Sequence, residues 1–567
     1  MSSYERIPLT DFAQHFPTLT ELSSDAIGGR VISVSDDFFA SVHSLLRVEP
    51  AASLKGQFGP NGALYDGWES RRHNPAFDWA IIKLGTTGTI SGFDVDTSNF
   101  NGNEAPQVSI EVLSAEDADD KDPSHDSPQW KEVLPRVDMD PTSRHLFTIP
   151  ETQSVTYVKL NMYPDGGIAR FRVYGHVTPV FPASVEQVFD LAHVFAGGTV
   201  IFTSDQHFGV GSNLILPGRG KDMGDGWETK RSRTPGHKDW VIIRLGTPGY
   251  LEHAEIDTAH FKGNFPESCE LEAFSGDDDA VLKSDAEWTS ILPRTKVGPH
   301  RQHYFQLQNV SDRQYSHVKM TIHPDGGVKR IRVMGRRTPS QSSSSASQEI
   351  PALLPPRADL PLLGQFVKNA VSSAVAGKTA GKVVSALPLT AEAFLPFGQV
   401  IQAYEENSAP RSVKITPANA GTADKFHKLA LTQSSYPDGS NASTGISVYR
   451  CRPASPSDGL VSIRDLERHP HTNQAFVPMG SGSGDVRYLV VVALNKDDGQ
   501  PDLESLRAFI ATGHQGIVYN AAVWHQPMTV LGQTLDLACV ETQIGDGNAL
   551  DCEVLNLKEP VPHAKVA

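Results

Sequence analysis

The feature that most constrains this chain is an internal duplication. The motif Asp-Gly-Trp-Glu occurs at residues 66–69 and again at residues 225–228. Other patterns recur in the same order: Gly-Gly-x-Val-Ile at 28–32 and 197–201, Asp-Trp-x-Ile-Ile at 78–82 and 239–243, and Pro-Asp-Gly-Gly at 164–167 and 324–327. The spacing between copies stays near 160 residues. Two repeats of one structural unit therefore make up the first part of the chain.

Each repeat has the pattern of a β domain. Residues 170–175 alternate between polar and apolar side chains, the period of a half-buried strand, and residues 79–84 form an apolar run that is typical of a strand inside a sandwich. The Pro-Asp-Gly-Gly segments are turn signals, because proline fixes φ and glycine accepts positive φ. We predict a jelly-roll β-sandwich for each repeat. A single helical turn is expected at residues 9–12.

A chain of 567 residues is too long for one core. We predict five segments: an N-terminal lead-in, repeat 1, repeat 2, a Ser/Pro-rich linker that cannot bury a core, and a separate third domain. Their expected bounds are 1–20, 21–178, 179–338, 339–383 and 384–560.

The third domain is expected to be a small β-barrel with a few helices. Residues 488–494 form a buried strand. We predict a helix capped by Thr390 that carries Phe394 and Phe397. A second helix is expected after Asp502, with residues 503–510 on it and an end at Gly513, and a third, loosely amphipathic one over residues 366–386. The fold class is thus mainly β throughout.

Charge and composition exclude several partners. The formal net charge of −16 argues against nucleic acid, which requires a clustered basic face. No apolar run approaches the roughly 20 residues that span a bilayer. The four cysteines show no Cys-x-x-Cys spacing, and residues 1–6 show no secretory pattern. We expect a cytoplasmic protein with reduced thiols.

The segment 66–73 of repeat 1 concentrates reactive side chains. It holds two carboxylates, two guanidinium groups and one imidazole within eight residues. Arginine holds a carboxylate through parallel donors, and a carboxylate accepts the N–H groups of a ureido group. This set suits a small carboxylated, urea-like substrate. The alternative is a surface loop with internal salt bridges, in which Trp68 plugs the sandwich.

The two repeats differ in ways that favour a reactive site in repeat 1. Residues kept in both copies serve the shared fold, whereas residues found in one copy are the better candidates for chemistry. The residues of repeat 1 that change in repeat 2 are Arg71 to Lys230, Asn101 to Lys262, Arg144 to Gln302, Tyr163 to His323 and Tyr65 to Gly224. Asp165 and Asp325, in the Pro-Asp-Gly turns, are expected to be turn-forming residues rather than catalysts.

The third domain carries a second polar cluster. Glu467, His469 and Gln474 lie within eight residues, and His525 follows Trp524 in another apolar segment. In a small barrel such groups can meet in the mouth and bind a metal or transfer protons. The alternative is that each histidine is a hydrogen-bonded core residue.

The repeat motifs resemble the allantoicase family. The resemblance rests on Asp-Gly-Trp-Glu-Ser-Arg-Arg-His-Asn, Phe-Asn-Gly-Asn, Ser-Arg-His-Leu-Phe and Tyr-Pro-Asp-Gly-Gly-Ile-Ala-Arg-Phe-Arg-Val-Tyr-Gly, and it covers about residues 20 to 338. It implies hydrolysis of allantoate to ureidoglycolate and urea. Because repeat 2 departs at the positions above, a second equivalent site is not expected.

The third domain is similar to ureidoglycolate lyases, a cupin-like family, over about residues 384 to 557. The similarity rests mainly on residues 467–478 and 516–527. Gln526 and Lys425 stand where that family often has His and Arg. The similarity implies cleavage of ureidoglycolate to glyoxylate and urea. It also implies a homo-oligomer, with a dimer through this domain as the favoured form. A divalent metal of unknown ligands is left open.

The resemblances suggest roles for the candidate residues. In repeat 1 the base is Glu69 or Asp66, and His73 is an acid or a substrate donor. In the third domain the base is His469 or His525, and Glu467 and Gln474 orient the substrate. The expected substrate-binding residues are Arg71, Arg72, Asn101, Asn103, Arg144, Arg170, Gln474 and Trp524. A rival hypothesis is a tandem discoidin-like carbohydrate-binding module with a cupin-like sensor domain.

Overall fold

The structure is a computed structural model of the whole chain. It describes residues 3–114, 116, 122–311, 313–338, 381–405, 409, 413–437, 439–480, 486–545, 547–548 and 550–566. The expected linker at 339–383 lies almost entirely outside the described residues. The repeats and the C-terminal domain are described separately below.

Repeat 1 is built from short strands around one long strand. Strands β1 to β13 span Glu5–Ile7, Thr20–Glu21, Arg30–Val34, Phe58–Gly59, Gly62–Ala63, Trp68–Glu69, Asp78–Asp96, Gln107–Ser114, Lys131–Asp138, Arg144–Thr148, Val155–Tyr163, Gly167–Ile168 and Arg170–Val177. Its helical elements are the helix α1 at Phe12–His15 and the 3-10 turns Leu9–Asp11, Asp25–Ile27 and Val42–Leu46.

The long strand β7 organises repeat 1. It pairs antiparallel with β3, β10, β11 and β13, so that four strands meet it along its 19 residues. Apolar side chains of β7, among them fully buried Phe93, pack into a core with fully buried Trp68, Phe147 and Phe171. Burial of side chains of this size is the dominant stabilising term in such a layer.

Repeat 2 reproduces this plan. Strands β14 to β23 span Phe189–Asp190, Thr199–Thr203, Trp227–Glu228, Asp239–Asp257, Ser268–Phe274, Thr289–Lys296, Gln302–Gln306, Tyr315–His323, Gly327–Val328 and Arg330–Arg337. Helix α2 spans Asp278–Val281, and 3-10 turns lie at Val194–Ala196 and Gly211–Ile215. Strand β17 has the length of β7 and pairs with β15, β20, β21 and β23. The duplication seen in the sequence is thus a duplication of topology.

The C-terminal domain is also a β structure. Strands β24 to β40 span Val383–Pro388, Gly398–Ile401, Lys414–Ala418, Ala423–His427, Ser443–Cys451, Pro453–Ala454, Leu460–Ser462, Asp465–Arg468, Gln474–Pro478, Arg487–Asn495, Pro501–Thr512, Gly516–Tyr519, Trp524–His525, Thr529–Leu531, Leu535–Gln543, Glu553–Asn556 and His563–Lys565. Helix α3 is Ala391–Phe394, and a 3-10 turn lies at Asn419–Gly421.

Two sheets and a hairpin make up this domain. One sheet runs β30-β40-β24-β34-β33-β36-β31-β39, and the other runs β25-β35-β32-β38-β28. Strand β33 separates two cores, because Tyr488, Val490 and Val492 pack on one side and Leu489 and Val491 on the other. Strands β26 and β27 pair with each other as a hairpin.

The predicted fold class is confirmed: the chain is mainly β, with two tandem β repeats and a third β domain that carries few helical residues. The turn expected at 9–12 is present, and the Thr390 side chain caps α3 by accepting the N–H of Ala393 at 3.3 Å. Phe397 lies beyond the end of α3.

Two helix predictions need correction. Residues 503–510 were expected to be helical, but they belong to strand β34, which pairs with β33 and β24. Of the helix expected over 366–386, most lies outside the described residues, and residues 383–386 belong to strand β24. No helix in the described part of the chain is long and apolar enough to cross a membrane.

Candidate functional site

The two most specific motifs of repeat 1 meet in space. Trp68 and Glu69 form strand β6, which pairs with Gly167 and Ile168 of the Pro-Asp-Gly-Gly segment. A Cβ atom on Gly167 would lie 2.1 Å from the ring of Phe100, so only glycine fits there. The same pairing joins Trp227 to Val328 in repeat 2. The motifs therefore recur because they close one shared contact.

Asp66 and Arg170 form a buried ion pair. The Arg170 guanidinium, 1% exposed, donates to Asp66 Oδ2 at 2.8 Å, and the backbone N–H of Ala52 donates to the same oxygen at 2.8 Å. Repeat 2 has the same pair, with Arg330 donating to Asp225 at 2.8 Å. A pair kept in both copies serves the fold, and its arginine would be costly to leave unpaired.

Arg72 is held by the turn aspartate. Its Nη1 donates to Asp165 Oδ1 at 3.1 Å, and the repeat 2 residue Arg231 donates to Asp325 at 2.8 Å. Both aspartates also accept a backbone N–H, from Asn74 at 3.1 Å and from Ser232 at 2.8 Å. The role expected for these aspartates, as turn residues, is consistent with these contacts.

His73 interrupts this shared arrangement. In repeat 2 the residue directly after the arginine binds the aspartate, whereas in repeat 1 it is the second residue after it, so that His73 is an extra residue between Arg72 and Asn74. Its side chain is exposed and its backbone is left-handed, with φ of 69°. Such a conformation in a non-glycine residue carries strain, and strain of this kind concentrates at functional positions.

Glu69 is a carboxylate that lies near Arg72. It is 8% exposed and accepts one hydrogen bond from Asn103 Nδ2 at 2.9 Å. Burial raises the pKa of Glu69, while the Asn103 bond and the nearby charge of Arg72 lower it. A buried carboxyl with a raised pKa next to a guanidinium is typical of a general base.

The other predicted residues of repeat 1 lie around or apart from this group. Asn101 is exposed, and its N–H donates to Asn103 Oδ1 at 3.1 Å. Arg71 is exposed and paired with Asp36 at 2.7 Å. Arg144 is paired with buried Asp94 of strand β7, which lies outside the 66–73 segment. Glu69, Arg72 and Asn103 are thus the set that the fold brings together, and His73 follows Arg72 in the sequence.

In the C-terminal domain the predicted residues converge more tightly. Ligand atoms of Glu467, His469 and His525 all lie within 4.8 Å of one another, and Glu467 faces His525 across strands β31 and β36. His469 Nδ1 bonds the carbonyl oxygen of Asp551 at 2.8 Å, and His525 Nδ1 bonds that of Val523 at 2.9 Å. Both Nδ1 atoms are therefore the donors, which leaves each Nε2 as an acceptor.

Those acceptors are buried and unsatisfied. Nε2 of His469 and of His525 makes no hydrogen bond to any described residue. Burial lowers the pKa of both imidazoles, that of His525 to about 3 with a further contribution from His469, and burial and the charge of Glu541 raise the pKa of Glu467. Neutral imidazoles with free Nε2 atoms and a carboxylate are the ligands that a divalent transition metal prefers.

Gln474 and Trp524 lie on different sides of this group. Gln474 Nε2 donates to Glu541 Oε2 at 2.8 Å, and Glu541 lies 3.8 Å from His469, so Gln474 belongs to the cluster. Trp524 donates to the carbonyl oxygen of Gly499 at 3.0 Å and packs in the second core. Glu541 was not predicted from the sequence. The alternation of strand β38 places it on the inward face with buried Leu537 and Cys539.

The fold and the site place this chain in a class of tandem-repeat β proteins. Repeat 1 holds a buried carboxylate–arginine group, and an added β domain holds a second polar cluster. A sequence model described as the allantoicase repeat matches residues 20–178 and 189–338, and one described as ureidoglycolate lyase matches residues 381–563. Since the first covers more than half of the chain, this chain belongs to the allantoicase family. Both predicted resemblances are confirmed.

Related proteins agree with this assignment. A probable allantoicase of Schizosaccharomyces pombe is 51% identical over 322 residues, 56% of this chain and 92% of the relative. The allantoicase of Saccharomyces cerevisiae is 45% identical over 318 residues, 54% of this chain and 91% of the relative. A crystal structure of Saccharomyces cerevisiae allantoicase is 41% identical, covers 59% of this chain and 100% of its own, and has a TM-score of 0.52. The C-terminal domain is identified by the lyase sequence model.

Proposed function

We propose that this chain carries out two consecutive reactions that release urea. Repeat 1 hydrolyses allantoate to (S)-ureidoglycolate and urea, and the C-terminal domain cleaves ureidoglycolate to glyoxylate and urea. The allantoicase relatives support the first reaction, and the lyase sequence model supports the second. The structural observation that carries the proposal is the buried Glu69, which accepts a bond from Asn103 beside Arg72.

In the first reaction water replaces one ureido group of allantoate. Glu69 takes a proton from the attacking water, and Arg72 binds the substrate carboxylate with donors other than the one that holds Asp165. His73 donates a proton to the nitrogen of the departing urea. Of the two carboxylates considered from sequence, Glu69 is favoured over Asp66, because both oxygens of Asp66 are engaged by structural donors.

In the second reaction no water is consumed. His469 or His525 takes the hydroxyl proton of ureidoglycolate through its free Nε2, the C–N bond to the ureido group breaks, and the departing nitrogen receives a proton. Glu467 and Gln474 orient the substrate. The same unsatisfied atoms of His469 and His525, together with Glu467, would alternatively hold a divalent ion, which would polarise a substrate oxygen. An Nε2 atom that holds the ion would not be the base.

The C-terminal domain also offers a surface for a second copy of the chain. Strand β28 ends its sheet, so one edge of its backbone pairs with no strand among the residues that the structure describes. Ile446 and Val448 on it are 78% and 57% exposed. Exposed apolar edge strands favour pairing. The proposed partners are therefore the two small-molecule substrates and a second copy, and the proposed location, in line with four free cysteines, is the cytoplasm.

The first reaction is tested by changing Glu69. Glu69→Gln keeps the size of the side chain and the acceptor for Asn103 but removes the base. We expect urea release from allantoate to fall at least about 100-fold. The matched control is Glu228→Gln at the same motif position of repeat 2, which should keep most of the activity. Equal losses in both variants, or full activity of Glu69→Gln, would contradict the assignment of the site to repeat 1.

A further inference from the structure

Repeat 1 contains a segment that repeat 2 lacks. The spacing between matching residues falls from 169 at the glycine pair 29 and 198 to 159 at the aspartate pair 66 and 225, so repeat 1 is ten residues longer between them. The longer segment contains the hairpin of β4 and β5, in which Phe58 pairs with Ala63 and Gly59 with Gly62. Pro60 and Asn61 form its two-residue turn, a combination that fixes a tight turn.

This hairpin is fixed at its tip and its base. The Asn61 side chain donates to the carbonyl oxygen of Phe38 at 2.8 Å. At the C-terminal end of the segment, Tyr65 stacks on Phe100 at 4.8 Å between ring centroids, and repeat 2 has Gly224 in place of Tyr65. At the N-terminal end the side chain of Asn99 donates to the carbonyl oxygen of Ala51 at 3.3 Å.

The loop that the hairpin tip contacts is bonded to the backbone of Glu69. The backbone N–H groups of Phe39 and Ala40 both donate to the carbonyl oxygen of Glu69, each at 3.2 Å. The Arg71 guanidinium lies 5.5 Å from the centre of the Phe38 ring. The hairpin is thus two contacts away from the backbone of Glu69, through Asn61 and the Phe38–Phe39 peptide.

Exposed aromatic rings mark this side of the site. Phe58 is 75% exposed and Phe38 is 48% exposed. Both are specific to repeat 1, since the residue that matches Phe38 is His207 and the hairpin has no counterpart. A large apolar side chain held in water by a rigid turn is expected to have a binding role.

We propose that the Phe58 hairpin is the substrate-specificity element of the repeat 1 site: its aromatic ring packs on the planar ureido group of a ligand whose carboxylate is held by arginine. This inference rests on the proposed first reaction and adds the element that distinguishes ureido-bearing carboxylates from other small carboxylates. A planar ureido group can stack on an aromatic ring. A flat apolar contact therefore favours ligands that carry a ureido group over ligands that lack one.

The test uses the full chain and the variant Phe58→Ser, with Phe58→Tyr as the conservative variant that keeps the ring. For Phe58→Ser we expect the KM for allantoate to rise about fivefold to tenfold with little change in kcat, which corresponds to one stacking contact. Phe58→Tyr should restore the KM. The matched control is Phe208→Ser, which removes an aromatic ring that is 62% exposed in repeat 2 and should change neither constant.

Two competitive inhibitors make the test specific for the ureido group. N-carbamoylglycine carries a ureido group and a carboxylate, whereas glycolate carries the carboxylate without it. Phe58→Ser should weaken inhibition by N-carbamoylglycine and leave that by glycolate unchanged. Equal weakening of both, or of neither, in a variant of an active enzyme overturns the inference. If the wild-type chain releases no urea from allantoate, the proposed function fails instead, and calorimetric binding of N-carbamoylglycine to the wild type and to Phe58→Ser then decides the role of the hairpin by itself.

Discussion

At the scale of single residues, the two repeats share their ion pairs and differ at His73. Asp66 with Arg170, and Arg72 with Asp165, have counterparts with nearly the same distances in repeat 2. His73, by contrast, is an extra residue with a left-handed backbone. The chemistry proposed for repeat 1 therefore combines Glu69 and Arg72, which have counterparts in repeat 2, with His73, which has none.

The pH dependence of the first reaction follows from the surroundings of Glu69. Burial raises its pKa, and the Asn103 bond lowers it. A base works only as the carboxylate, so the rate falls as the pH drops through the pKa of the folded protein. Asn103→Ala removes a lowering contribution, and the acid limb of kcat/KM should move to higher pH. A pH profile of urea release measures this, with Asn264→Ala in repeat 2 as control; a limb that moves to lower pH, or stays, would contradict Glu69 as base.

Part of the site could be read from the sequence, and the rest depends on strand register. Glu467, His469 and His525 were identified because the first two lie together with Gln474 within eight residues, and the third follows Trp524 in an apolar segment. Glu541 was not, because its place beside Gln474 is set by the pairing of β32 with β38, in which Ala475 faces Val540. Register between strands that are distant in sequence leaves no local pattern.

At the scale of elements, the strand predictions are confirmed both where the sequence alternates and where it forms a short apolar run. Residues 79–84 lie in β7, 170–175 in β13 and 488–494 in β33. The helix predicted over residues 503–510 is wrong. Leu503, Leu506 and Ile510 have helical spacing, but the strand that contains them is buried at several adjacent positions. A short apolar stretch buried on both faces has no period that distinguishes helix from strand.

The exposed edge strand β28 makes the proposed association testable. Ile446→Lys together with Val448→Lys places two charges on that edge, and charged residues on edge strands oppose pairing. We expect the molecular mass in solution, measured by light scattering after size exclusion, to fall to that of one chain. Val180→Lys, at a residue 60% exposed in repeat 2, should leave the mass unchanged. A wild-type chain that is already a monomer would contradict the proposed pairing.

At the scale of the whole molecule, the two reactions proposed for this chain act on the same kind of carbon, one that bears a carboxylate and a ureido group. The product proposed for the repeats is the substrate proposed for the C-terminal domain. Joining them in one chain raises the local concentration of the second site around the intermediate. Membership of the allantoicase family favours this account over a carbohydrate-binding module with a sensor domain.

The most direct test of the central claim counts urea released from allantoate. The wild-type chain, supplied with divalent ions, should release two molecules of urea and one of glyoxylate per allantoate, faster than ureidoglycolate decomposes by itself. His469→Ala should release one molecule of urea at the wild-type rate and accumulate ureidoglycolate. Glu69→Gln should release almost none from allantoate and still cleave added ureidoglycolate. If the wild-type chain released no urea from either compound, or if one substitution abolished both steps, the account of two separate sites would be contradicted.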